Sequence, residues 1–122
     1  MAEVVKLNIR PVPVNPVVDK ASDTIYTFEI HDATGGCVDL RGYTAKMMLR
    51  PFHSSKRAYD ELTTENGRLE IRGGTVTVHF PADVTVTYKF TRAVYDLLII
   101  SMDDLQYRVA EGEVYFRPEV TR

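Results

Sequence analysis

The chain has one cysteine, no tryptophan and no apolar run longer than the four residues 97–100. Each shortage excludes something. A lone Cys37 makes no internal disulfide and carries no metal-site spacing, so it reads as a buried or half-exposed structural thiol from a reducing compartment. A four-residue run falls far short of the ~20 residues that a membrane helix needs. Charge of one sign is also missing. With 15 basic and 17 acidic side chains the formal charge is -2, which makes no electrostatic case for nucleic acid or an anionic membrane. The opening residues, MAEVVKLNIR, lack a charged stretch followed by an apolar core, and so read as no signal peptide. At 122 residues the expectation is one soluble domain with a single core.

The residues of chemistry are scattered. His31, His53 and His79 each stand alone in sequence, with no paired spacing. Asp103-Asp104 is one pair of turn-favouring carboxylates rather than a loop of spaced oxygen ligands. Gly35-Gly36 and Gly73-Gly74 open no helix and precede no Lys-Ser or Lys-Thr, so they are not phosphate cradles. No G-x-S-x-G occurs, and Cys37 has no neighbouring histidine to activate it. Residues 53–57 are basic but have no stripe of aromatics beside them, and read as a solvated loop. These absences set the expectation of a non-enzyme with no catalytic, cofactor or metal residues.

What the chain does have is alternation. Residues 92–116 dominate it as two long antiparallel strands joined by a turn at Asp103-Asp104. The first strand is apolar on both faces and is expected in mid-sheet with both faces largely covered. Within it, Asp96 must be paired or hydrogen-bonded, and reads as a structural anchor between sheets with Arg41, Arg50 or Arg92, or as a loop cap. The second strand changes phase. Its apolar residues are odd-numbered to Val109 and even-numbered at Val114 and Phe116, which calls for a bulge near Ala110-Glu111-Gly112. Gly112 is the residue there that takes φ > 0 freely.

Further strands are expected at 24–30, burying Tyr26, Phe28 and Ile30, at 43–51, burying Tyr43, Ala45, Met47 and Leu49, and at 75–80, burying Val76, Val78 and Phe80. Asn66-Gly67 is a strong hairpin signal. Residues 52–60 read as a long polar loop. Residues 82–91 read as a short crossover that opens with at most one helical turn, because Val84, Thr85, Val86 and Thr87 disfavour a long helix. About seven strands and no convincing amphipathic helix make an all-β antiparallel sandwich.

Ahead of it, residues 3–9 alternate as a short edge strand, and residues 10–18 hold three prolines in six positions. Proline lacks a ladder donor. Arg10, Pro11, Val12, Pro13, Val14 and Pro16 are therefore extended, as a solvent-exposed edge, a plain polyproline-like connector or a segment ordered by a neighbouring chain. The division expected is an edge strand and arm at 1–18 and the sandwich at 19–122.

Several blocks, in one order, resemble small virion proteins of tailed bacteriophages. Asp39-Leu40-Arg41-Gly42-Tyr43-Thr44-Ala45-Lys46-Met47 is similar to their D-L-T-G-Y-T-A-x-M. Leu62-Thr63-Thr64-Glu65-Asn66-Gly67 matches L-T-T-E-N-G. Gly74-Thr75-Val76-Thr77-Val78, then Tyr95-Asp96-Leu97, then the closing stretch from Ala110-Glu111-Gly112 to Pro118-Glu119-Val120-Thr121-Arg122 follow in the same order. Two stretches depart from the pattern: the proline-rich segment, and Val84 to Thr87, where those proteins are often alanine-rich. The resemblance implies an immunoglobulin-like sandwich similar to the N-terminal domain of baseplate upper proteins. It also implies a structural role in the virion, in several copies, contacting other virion proteins at the tail, baseplate or fibre attachment. Head decoration or a collar position is the nearest alternative. A carbohydrate-binding sandwich is the remoter one, and would need Tyr88, Phe90, Tyr107 and Tyr115 to face out together.

Overall fold

The computed structural model describes residues 11–118. The expected strand at 3–9 and Arg10 lie outside the described residues. Nine strands and one helical turn follow in chain order. They are β1 (Val12–Pro13), β2 (Val17–Asp19), β3 (Thr24–Glu29), β4 (Thr44–Arg50), β5 (Asp60–Thr63), β6 (Leu69–Arg72) and β7 (Thr75–Phe80). The helical turn α1 (Ala82–Thr85), then β8 (Arg92–Ile100) and β9 (Gln106–Arg117), complete the described residues. The larger sheet runs β1-β9-β8-β4-β5, with β2 also on β9, and the smaller runs β3-β7-β6. Three strands facing a sheet centred on the two C-terminal strands and β4 are the immunoglobulin arrangement. The protein is an all-β, immunoglobulin-like sandwich.

Period-two alternation accounts for the core. Ala45, Met47 and Leu49 of β4, Ala93, Tyr95, Leu97 and Ile99 of β8, and Val76, Val78 and Phe80 of β7 are all buried. The outer face of β8 is not covered as expected: Val94, Leu98 and Ile100 are half-exposed. Among the described residues no third layer packs there. They sit among the long side chains opposite them, Lys46 and Arg108 beside Leu98, Arg50 and Glu113 beside Val94, whose aliphatic stems shield apolar neighbours. Cys37 is exposed, not buried, on the loop that follows β3.

Two connections depart from the sequence expectation. Asn66-Gly67 is a tight turn, with Gly67 at φ +81°, but not a hairpin, because β5 pairs with β4 in one sheet and β6 with β7 in the other. The Asn66 amide explains what the turn does instead. Its Oδ1 accepts from the backbone N–H of Thr63 (3.0 Å) and its Nδ2 donates to the carbonyl of Glu61 (3.0 Å). Those two groups flank Leu62 and are the ones a further strand would take. A side chain thus closes the free edge of β5 and lets the chain cross between sheets. The second departure is the bulge. The register breaks opposite Leu97/Leu98, so that Val109 and Ala110 both point inward and both are buried. Gly112 is not the bulged residue. It stands in register opposite Tyr95.

A carboxylate does tie the sheets together, but it is Asp60 rather than Asp96. Asp60, the first residue of β5, accepts from the Tyr88 hydroxyl (2.5 Å) and from Arg68 Nη1 (3.2 Å). Arg68 also donates through Nε to the carbonyl of His79 on β7 (3.1 Å). Above this cluster Phe116 takes edge-on contacts from Phe80, Tyr88 and Phe90.

Burial raises the phenols of both Tyr88 and Tyr95, and for Tyr88 the hydrogen bond to the Asp60 carboxylate adds to it. A raised folded-state value means that the unfolded chain ionises first. The stability these groups contribute is whole below the unfolded value of about 10 and is lost as pH climbs above it. Tyrosinate absorbance is therefore expected to rise in two phases, the second coinciding with unfolding. A single phase near pH ~10 in a chain that stays folded would contradict this.

Candidate interaction surface

The N-terminal edge of the larger sheet is the most unusual part of the molecule. β1 and β2 both run parallel to β9, with Val12 opposite Ala110 and Val17 opposite Tyr115. Val14 N–H donates to the Glu111 carbonyl (3.0 Å), so even-numbered residues face β9. Pro11 and Pro13 therefore turn their missing donors outward, where no ladder exists, which is how an edge accommodates proline. The described part of the segment pairs with the chain's own β9. The expected boundary at residue 18 falls inside β2, whose Val18 is fully buried.

Between β1 and β2 the chain kinks, and four residues replace the ladder. Asn15 Oδ1 accepts the Glu113 N–H (2.9 Å), and the Tyr95 hydroxyl reaches through from β8 to the carbonyl of Val14 (2.6 Å). Gly112 makes room for both. A Cβ there would overlap the Val14 carbonyl oxygen and lie 2.6 Å from Asn15 Oδ1, on a backbone at φ +152°. Beyond the kink, Arg117 grips Asp19 through Nε and Nη2, and this hydrogen-bonded guanidinium holds the Asp19 carboxyl below its usual range.

An open groove of about 570 Å³ follows this edge, lined by Asn15, Pro16, Val17, His53, Arg92, Gly112, Glu113 and Tyr115. Val17 and Tyr115 give it exposed apolar walls. Arg92 and Glu113 pair across its floor at 3.3 Å. Chemically it suits a partner with extended backbone and apolar side chains, and it has no buried nucleophile or acid–base pair.

Of the residues read as partner contacts, Pro11, Val12 and Pro13 are exposed, Val14 is half-buried with both backbone groups engaged, and Pro16 is buried. Pro16 is thus a wall of the sandwich that also lines the groove. Val17 and Tyr115 were missed as a pair. Their register across a parallel edge is invisible until β2 is placed on β9. Of the four aromatics that a sugar platform would need, Tyr88, Phe90 and Tyr107 pack against the core, and only Tyr115 is exposed.

Asp96 lies on the outer face of the larger sheet, between Arg50 (4.0 Å) and Arg108 (3.5 Å). It links strands within one sheet, not the two sheets. Arg50 is a partner that the sequence suggested, whereas Arg41 pairs with Asp39 and Arg92 with Glu113. Long contacts in partly wet surroundings contribute little. Asp96→Ala is expected to lower stability by less than about 1 kcal/mol, read from the urea midpoint, and a larger loss would restore it as an anchor. Among the described residues no three His, Cys, Asp or Glu side chains converge as metal ligands.

No protein-family model matches the chain, and no curated protein matches it. Among solved structures it is similar to Drosophila OTK extracellular domains 3-5, at 13% identity and a TM-score of 0.43. That likeness covers 94% of this chain and 37% of the other, so the chain spans little more than a third of the protein it matches.

Proposed function

We propose that the protein is a structural component of a tailed-phage virion, an immunoglobulin-like module that makes protein–protein contacts at the tail, baseplate or fibre attachment. The observation that carries this reading is the ordered series of sequence blocks from Asp39 to the C-terminus. The first block ends in the buried strand β4, and Tyr95-Asp96-Leu97 is the middle of β8. The exposed edge lies elsewhere, along Pro11, Val12, Pro13, Val17 and Tyr115. On this reading the partners are other virion proteins, met by the proline-rich edge and its groove.

Antibody raised against the domain should decorate purified particles at the tail or its distal end. Label on the head shell or neck would move the protein to a decoration or collar role. Particles free of both label and protein would overturn the virion reading.

A further inference from the structure

Among the described residues four strand edges border the two sheets, and three are guarded. The β1–β2 edge carries outward prolines. The β5 edge is closed by the Asn66 amide. The β6 edge is four residues long with Glu70 and Arg72 along it. Short strands, charges and prolines are the usual protections against edge-to-edge pairing.

The edge of β3 has the fewest of them, a single charge, Glu29, at its last residue. It is six residues long and reads Thr-Ile-Tyr-Thr-Phe-Glu, with no proline, no lysine and no bulge against β7. Ile30 N–H donates to the Gly74 carbonyl (2.8 Å). In the same register the even-numbered residues of β3 exchange bonds with β7. The N–H and C=O of Ile25, Thr27 and Glu29 consequently point away from the sheet. Among the described residues nothing meets them. Their side chains are exposed as well, Ile25 at 63%.

We propose that this edge is a strand-addition site whose occupant is β3 of a second copy, paired antiparallel about a two-fold axis at Thr27. The sequence of the edge is self-complementary in that register. Thr27 meets Thr27 of the other copy, and cross-strand threonine pairs are favourable. The Thr27–Thr77 hydroxyl contact (3.3 Å) extends into a ladder of four threonines across the joint sheet. Ile25 lies against the aliphatic stem of the other copy's Glu29. Asp23 comes level with the other copy's His31, an opposite-charge pair when that histidine is protonated. Centring the axis on Tyr26 instead would set Glu29 against Asp23, two like charges, and is disfavoured. The interface is small, so the association is weak and strongest where copies are concentrated. This proposal is independent of the virion reading and concerns self-association of the isolated chain.

The test uses the full chain. Sedimentation equilibrium should show a concentration-dependent monomer–dimer mixture. Amide exchange should show Ile25, Thr27 and Glu29 slowed as concentration rises. Thr27→Lys places two ammonium groups on the axis and should abolish both effects while the melting temperature of the monomer holds. Should that variant fail to fold, exchange in the unmodified chain at two concentrations still decides. Fast exchange at the highest concentration overturns the proposal. So does slow exchange at every dilution, which would mean that the chain covers its own edge. A dimer indifferent to Thr27→Lys overturns it too, since another surface would then be holding the copies together.

Discussion

Gly112→Val is expected to cost the domain about 3–5 kcal/mol, a large part of the roughly 5–15 that a domain of this size has. The loss comes from two sources. At φ +152° a side chain strains the backbone, at about 1–3 kcal/mol. The Cβ itself then displaces the kink between β1 and β2. That breaks the Tyr95 bond to Val14, the Val14 bond to Glu111 and the Asn15 bond to Glu113, each worth about 0.5–1.5 kcal/mol. Because the first carbon already clashes, Gly112→Ala should cost nearly as much as valine. Gly36→Val is the control. Its Cβ meets only the Asp32 carboxylate, at 3.3 Å on an exposed loop, and it should cost far less. Urea midpoints with unchanged slopes would establish the ranking. A mild Gly112→Ala would mean that the kink does not pack on that residue.

Asp60→Ala is expected to cost about 2–3 kcal/mol, less than a fully buried pair because the cluster is partly wet. The Asp60 and Arg68 side chains are 25% and 14% exposed. Removing the carboxylate strands the Arg68 guanidinium and the Tyr88 hydroxyl without their shared acceptor. Tyr88→Phe should cost less alone, and much less on the Asp60→Ala background, since the two changes remove the same bond. Additive losses would show that the hydroxyl is held by something other than Asp60.

The contrast between Asp60 and Asp96 shows what alternation can and cannot reveal. Asp96 stood out because it interrupts an apolar strand, yet it faces outward on a two-sided sheet with only one side buried. Asp60 drew no notice because it ends a polar loop, and its partners Arg68 and Tyr88 are 8 and 28 residues further along. The inward sets of β3, β4, β7 and β8 were legible, because each keeps a strict period of two against one core. The phase change in β9 was legible too, but not its site. Alanine is small enough to pass as either face, and only the ladder shows Ala110 turned inward beside Val109. Asn66-Gly67 announced a turn and nothing about which sheet comes next. That depends on whether the following strand finds β4 or β7, a choice between distant partners. For the N-terminal edge, proline told the chain's conformation but not its neighbour, so the pairing of Val17 with Tyr115 and the burial of Pro16 stayed hidden.

The parallel course of the first strands beside the last has a mechanical consequence. Val12 stands beside Ala110 at the start of β1, and Asp19 beside Arg117 at the other end of β9. A pull on the two ends therefore slides β1 and β2 along β9 instead of peeling them off one bond at a time. The bonds from Val14 to Glu111, from Tyr115 to Pro16 and from Lys20 to Arg117 share the load and must give way together. So must the Asn15 and Tyr95 clamps at the kink and the Asp19–Arg117 pair. Under such a load the row is expected to yield as a unit, in one shear event rather than bond by bond.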